Sequence, residues 1–304
     1  MTRRGGLLFA ALCVIWGVPY LLIKVAVRDL TPATLVFLRT SLGALILLPL
    51  ALRRGQVRQL LPHWRPVIAY TVAEIGVPWI FLSDAERRLS SSLTGLLVAA
   101  VPIVGAVLST FTGGKERFDG RRGLGFAIGL VGLVTLLGFD PAGADPLTIG
   151  EMVLVVLGYA VGPMIVARRL QGVPTLAVVA VSLMLAAVGY APFGLAQLPA
   201  ELPSPAVLVS VLVLGAVCTA LAFLIFFELI AEIGPVRATV VAYVNPAVAV
   251  ALGVLLLGEA FTPATAAAFV LILGGSFLAT RAGRVRAMPI RRAPAPSPSS
   301  QVAP

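Results

Sequence analysis

Residues 101–134 read VPIVGAVLSTFTGGKERFDGRRGLGFAIGLVGLV, and residues 244–278 read VNPAVAVALGVLLLGEAFTPATAAAFVLILGGSFL. Each stretch has a proline early in an apolar run, a short link beginning Gly-Lys-Glu or Gly-Glu, and a second apolar run with a glycine late in it. Pro102 and Pro246 are 144 residues apart, as are Pro19 and Pro163. Glu116 and Glu259 are 143 apart, as are Gly132 and Gly275. One coincidence among 23 prolines decides nothing, but several at one offset point to a duplicated unit. The expected division is a first unit at 1–140, a second at 141–281, and a basic tail at 282–304.

Composition says where such units live. Hydrophobic residues make up 59% of 304 and charged residues 12%, with mean hydropathy +1.02. Soluble domains carry about 25% charge, so this chain has too little polar surface to clothe a water-soluble globule. Apolar runs near the roughly 20 residues of a membrane span occur at about 6–26, 32–52, 66–83, 91–112, 122–139, 147–167, 173–195, 205–227, 236–257 and 262–280. The first reads as an uncleaved span, because the apolar run continues without a cleavage site. The expected fold is an all-α polytopic membrane protein. Five spans per unit is an odd number, so the second unit enters from the opposite side, giving ten transmembrane helices in two inverted five-helix repeats.

The basic residues set an expected orientation. With the amino terminus inside, inner segments hold eighteen Lys and Arg and outer loops only Arg28, Arg87 and Arg88, which the positive-inside tendency favours. Both termini are then cytoplasmic, in the cell (inner) membrane. The net charge of +10 and pI of 10.7 describe topology, and no nucleic-acid partner is expected. The Pro- and Ser-rich tail should be disordered.

Composition also excludes chemistries. Cys13 and Cys218 lie in separate apolar spans, and His63 is the one histidine, so no metal site, catalytic triad or cofactor is expected. No GxxxxGK[ST] phosphate loop occurs, which argues against direct ATP coupling. A lipid-modifying enzyme would need Asp, His or Arg clustered near one surface, and the candidates here are scattered. Inverted repeats with proline-interrupted spans in matching places point instead to a secondary transporter with its site between the halves. An uncoupled facilitator is the alternative.

Each ionisable residue inside a span needs an account, since its insertion costs about 2.5–3.5 kcal/mol. Glu74, near the centre of span three, is a candidate for proton coupling. Arg39, seven residues into span two, lies at a similar depth, so an Arg39–Glu74 salt bridge is one expectation. Trp16, Tyr20 and Lys24 recur every four residues and share a helical face. They suit a cavity for an amphipathic solute, or Lys24 reaches for interfacial water. Tyr159, four residues before Pro163, holds a similar place in the second unit, and Asn245 precedes Pro246. Pro19, Pro102, Pro163 and Pro246 are candidate hinges or static kinks. Gly125, Gly129 and Gly132 form a small-residue face read as internal packing in preference to a dimer seam, so a monomer is expected. Glu151, Glu228 and Glu232 sit near span ends and are assigned no chemistry.

The start WGVPYLLIK, the segment LRTSLGALILLPLALRR, and the Gly-Glu-plus-span units at 258–278 and, in altered form, 114–135 resemble EamA-type members of the drug/metabolite transporter superfamily. The likeness covers about residues 6–281, with one departure at GGKERFDG, where such proteins usually show a plain LGE. It implies a central cavity between the repeats, and export of amino acids, other metabolites or drug-like solutes. An arginine in this part of span two is similar to a feature common in the family. The expected partners are a small-molecule solute, the lipid bilayer and protons.

Overall fold

The computed structural model describes residues 2–111, 120–138, 145–234, 238 and 240–280. Glu116 and the tail at 282–304 lie outside them. Helices begin where the sequence supplies caps. The Thr2 hydroxyl accepts from Gly5 N ahead of α1 (Arg3–Ala26). Thr31 accepts from Thr34 N ahead of α2 (Pro32–Arg53), whose first residue is a proline needing no hydrogen-bond partner. Ser90 and Asp145 do the same for α5 (Ser91–Val98) and α8 (Pro146–Arg169).

Span three is composite. A 3-10 turn (Val57–His63) leads into α3 (Trp64–Tyr70), a wider π-helical turn (Thr71–Gly76) and α4 (Val77–Arg88). Pro78 has no N–H to return to the preceding turn, and the Tyr190 hydroxyl from the seventh span donates to Gly76 O at 2.9 Å. Span four breaks at residues 99–100 between α5 and α6 (Val101–Phe111). Pro102 therefore sits at the start of a helix, where proline is tolerated, and does not interrupt one. α7 (Gly120–Gly138), α8 and α9 (Thr175–Ala196) follow. Span eight repeats the composite design, with α10 (Pro205–Gly215), a second π-helical turn (Ala216–Leu221) and α11 (Ala222–Ile233). α12 (Val241–Leu257) and α13 (Pro263–Thr280) complete the chain.

Among the described residues, seven helical stretches are long and apolar enough to cross a membrane, and shorter apolar helices at Gly123–Thr135, Val241–Leu257 and Pro263–Leu278 make ten. One boundary needs correction. The sequence places the end of span three near residue 83, but α4 runs on to Arg88, which draws Asp84, Glu86 and Arg88 out of the expected loop and into the bundle.

Packing follows a rule of exchange. Span two lies against span seven and span five against span ten; span one lies against spans eight and nine, as span six does against spans three and four. Exchanging each span with the one five later leaves these pairings unchanged, as expected of inverted repeats. The two π turns obey it too, since Thr71 and Ala216 start them 145 residues apart. At the contact of spans five and ten, a Cβ on Gly275 would stand 2.5 Å from Gly129 N and 2.6 Å from Gly125 O. The small-residue face is thus occupied within the chain, where it allows backbones to close up.

Successive spans alternate, so the bundle has an Arg4 end and a Lys24 end. At the Lys24 end, Gly258 takes a left-handed conformation (φ 68°) that closes α12 and suits a residue without Cβ. Glu259 then reaches the start of span four, where Oε1 accepts from Ser91 N at 2.7 Å and Oε2 from Ser92 N at 2.9 Å. The Gly-Glu pair is a helix stop followed by a cap for another helix's exposed N–H groups.

Candidate functional site

Five spans converge on Arg39. The residue is 8% exposed, and its guanidinium carbon lies 3.7 Å from the centre of the Trp79 ring of α4, a close cation–π contact. Its Nε donates to Thr219 Oγ1 at 3.1 Å. Thr219 lies in the π turn of span eight and donates its own hydroxyl proton to Leu214 O, five residues back, at 2.8 Å. The wide turn makes that carbonyl available and aims the threonine at span two. Tyr159 from α8, Cys218 from the π turn of span eight and Tyr20 from α1 are the next ionisable neighbours; Tyr159 packs against both large apolar clusters of the core. Among the described residues, no carboxylate stands within 4.0 Å of the guanidinium, and its terminal nitrogens have no hydrogen-bond partner. A buried fork of N–H donors aligned by an indole and a threonine suits a carboxylate.

Glu74 occupies the other π turn, in the position 145 residues before Thr219. Its carboxylate lies against Gly162 of α8, at a place where a Cβ would collide with it, and among the described residues Oε2 has no hydrogen-bond partner. The structure does not pair Glu74 with Arg39. The two residues share a depth but face different neighbours, span six for the one and spans three and eight for the other.

The Trp16–Tyr20–Lys24 face meets three separate environments. Trp16 joins an aromatic group with Phe226 at 5.0 Å and Phe223 at 6.0 Å between ring centres, and Phe227 stacks on Phe223. Tyr20 is buried in the core. Lys24 holds the end of span three, its Nζ donating to Glu86 O and Leu89 O, each at 2.7 Å. The lysine therefore caps a helix carboxyl end, where a cation is favoured. Asn245 bolts α12 to α1: the orientation that satisfies both ends of its amide has the nitrogen donating to Cys13 O at 3.2 Å and Val241 O at 3.0 Å. Pro19 lies inside α1, Pro163 inside α8 next to Gly162, and Pro246 inside α12 next to Asn245.

Sequence reasoning missed several polar groups. Glu86 lies beyond the expected end of span three and is fully buried. Glu151 forms an ion pair with Arg88, which also binds Asp84 at 3.0 Å and donates from Nε to Thr148 Oγ1 at 2.7 Å. At the opposite end, Arg4 binds Glu228 at 2.7 Å and approaches Glu232 at 3.9 Å, with the Thr2 hydroxyl also on Glu232. The i, i+4 spacing of Asp84 with Arg88, and of Glu228 with Glu232, was the available signal.

Outside membrane-spanning segments, two carboxylates stabilise the Lys24 end. Ser204 N donates to Asp29 at 2.9 Å and holds that carboxyl below its usual range. The hydroxyl and N–H of Thr148 do the same for Asp145. An apolar groove of about 340 Å³, lined by Ala247, Val250, Val254, Phe261 and Phe269 among others, lies apart from these groups.

Among the described residues, ten apolar helices with a buried cation at the junction of spans one, two, three, six and eight make a polytopic membrane bundle. The EamA-like transporter family profile matches residues 3–138 and again 148–281, and the chain belongs to that family. It is 30% identical over 270 residues to the "Uncharacterized inner membrane transporter YedA" of Escherichia coli K12, covering 84% of this chain and 83% of that one. It is 25% identical over 299 residues to a "Probable amino-acid metabolite efflux pump" of Salmonella typhimurium, covering 94% and 98%. A solved crystal structure agrees in fold with TM-score 0.66 and 24% identity, over 92% of this chain and 98% of the other.

Proposed function

We propose that this chain is a secondary active exporter of a small amphipathic metabolite bearing a carboxylate, of the amino-acid class, working by alternating access with both termini in the cytoplasm. The observation that carries the reading is Arg39: a buried guanidinium at the junction of spans one, two, three, six and eight, with donors to spare. The aromatic group around Trp16 supplies apolar contact on the Arg4 side of it. The efflux-pump relative supports the solute class, and the excess of Lys and Arg in the segments of the Arg4 end supports the orientation.

Division into units at 1–140 and 141–281 is part of the proposal. Its support is the set of matched positions: Pro19 with Pro163, Pro102 with Pro246, and Glu74 with Thr219. Two such units can exchange conformations of similar energy, which opens the site to one side and then the other. Glu74, set in a π turn with no partner for Oε2 among the described residues, is the group proposed to exchange the driving proton. The prolines are the proposed flexing points.

Transport by the purified chain in proteoliposomes tests this. A panel of labelled amino acids, nucleosides and cationic dyes is offered with and without a pH gradient. A carboxylate-bearing solute should move uphill with the gradient. Arg39→Ala should lower its uptake roughly 10- to 100-fold, as loss of a charge-assisted contact worth about 1.5–3 kcal/mol implies. Glu74→Gln should abolish uphill flux and keep downhill flux. Selective transport of cationic dyes, unchanged in Arg39→Ala, would contradict the assignment.

A further inference from the structure

Span three ends in a feature that the transport scheme leaves unused. Glu86 is 0% exposed, and both its carboxylate oxygens are enclosed without a hydrogen-bond donor among the described residues. Lys24 enters the same space from α1, yet its ammonium is engaged by the Glu86 and Leu89 main-chain oxygens and stands more than 4.0 Å from the carboxylate. An ammonium has three donors, so one remains uncommitted. An ionised carboxylate enclosed without a donor is strongly disfavoured, and this arrangement therefore suits a carboxyl that carries a proton.

We propose that Glu86 is a proton-binding site and that Lys24 is its positioning residue, moving between two sets of acceptors as the proton comes and goes. With the proton bound, Lys24 caps the last carbonyls of α4. On release, the O–H bond of Glu86 breaks and the proton passes to water entering from the Lys24 end. The carboxylate left behind draws the ammonium from the two carbonyls. The local charge of the pair falls from one positive to zero, and the Leu89–Ser90 link into span four loses its tether. Glu259 holds the far side of that link through Ser91 and Ser92, so proton occupancy acts on the joint between spans three and four.

The ionisable groups whose fields reach Glu86 come from several elements. They are Lys24 and Tyr20 on α1, Arg39 on α2, Tyr159 on α8, and Glu259 in the link after α12. On α4 itself, Asp84, Arg87 and Arg88 are engaged with one another and with Glu151. α5 contributes none.

Only the use made of the proton rests on the transporter reading; the site can be tested without transport. Infrared difference spectra of the full chain in liposomes, taken between acid and alkaline buffer, should show a carboxylic-acid C=O band that disappears on alkaline exposure. Glu86→Gln should remove a component of that band that Glu74→Gln retains. Lys24→Arg should keep the response of that component and Lys24→Gln should lose it. As a readout on the unaltered chain, dicyclohexylcarbodiimide should modify Glu86 in acid, seen by peptide mass mapping. Glu86→Gln spectra that superimpose on the wild type, or a Glu86 never modified, would overturn the proposal. In transport, Glu86→Gln should weaken proton-driven uphill flux, and wild-type uphill flux in that variant would overturn the action of its proton on the joint between spans three and four. A wild-type chain that moves no solute but shows the Glu86 band would count against the transporter reading alone.

Discussion

The two ends of the bundle are fastened by related positions to different effect. Asp84 and Arg88, one helical turn apart, close span three onto span six through Glu151; the positions 144 residues later, Glu228 and Glu232, close span eight onto span one through Arg4. The signs are exchanged: a cation on the long helix meets an acid in one case, and acids meet a cation in the other. Their settings differ more. The Glu151 side chain is 6% exposed and Arg88 31%, whereas Arg4 and Glu228 are 66% and 60% exposed. Solvent screens the Arg4 latch, and such pairs are worth about 0–1 kcal/mol. The Lys24-end latch is partly desolvated and bonded to Thr148 as well, so breaking it leaves a charge poorly compensated. One fold, used twice in opposite directions, has a firm fastening at one end and a loose one at the other.

The largest expected effect follows from removing the buried acid. Glu151→Ala should destabilise the chain by about 2 kcal/mol, below the 3–5 typical of a fully buried pair because Arg88 keeps some water. Thermal unfolding in detergent would register this as a lowered midpoint, and a midpoint equal to wild type would remove the distinction between the ends. Exchanging the partners, Arg88→Glu with Glu151→Arg, should recover less than half of that loss, since the cross-span pair is restored but the bonds to Thr148 and Asp84 are not, and a carboxylate at position 88 faces Asp84. Arg4→Ala should change stability by less than about 0.5 kcal/mol and should matter less still at high salt.

Acid supplies the smallest and most local test. Asp29 and Asp145 both belong to the Lys24 end, and both carboxyls are held below their usual range, by Ser204 and Thr148 respectively. The stability they contribute is present above the ordinary carboxylate range and is lost as pH falls through their lowered values. Protection of amides at the starts of α8 and α10, taken relative to their intrinsic exchange rates at each pH, should therefore fall in acid, and Asp145→Asn should weaken that response at α8.

Much of this architecture was legible because hydropathy and proline placement are local properties. The ten spans, the offset of Pro19 with Pro163 and the depth of Arg39 need only counting along the chain. What counting omits is azimuth and tertiary rescue. Arg39 and Glu74 stand at one depth, yet the wider π turn before Pro78 sends Glu74 toward Gly162, a rotation that ordinary helical periodicity does not contain. Residues 84–88, DAERR, read as a loop because four of five are charged; they remain helical because Arg88 finds Asp84 and Glu151, and Lys24 caps their carbonyls. Lys24 itself looked like a cavity or interface residue, and its partners are main-chain oxygens 62 and 65 residues away. Phe223, Phe226 and Phe227 drew no notice in a run of apolar residues, where their pairing with Trp16 leaves no pattern.

In the proposed alternating-access cycle, the two fastenings open in turn about Arg39. Electron–electron distance measurements test it with one spin-label pair across each end, at Arg87 and Leu147 for the Lys24 end and at Arg3 and Ala231 for the Arg4 end, in a background lacking Cys13 and Cys218. In Glu151→Ala, the 87–147 pair should shift to longer distances while the 3–231 pair shifts to shorter or narrower ones. Both pairs lengthening together, or neither moving, would contradict the account.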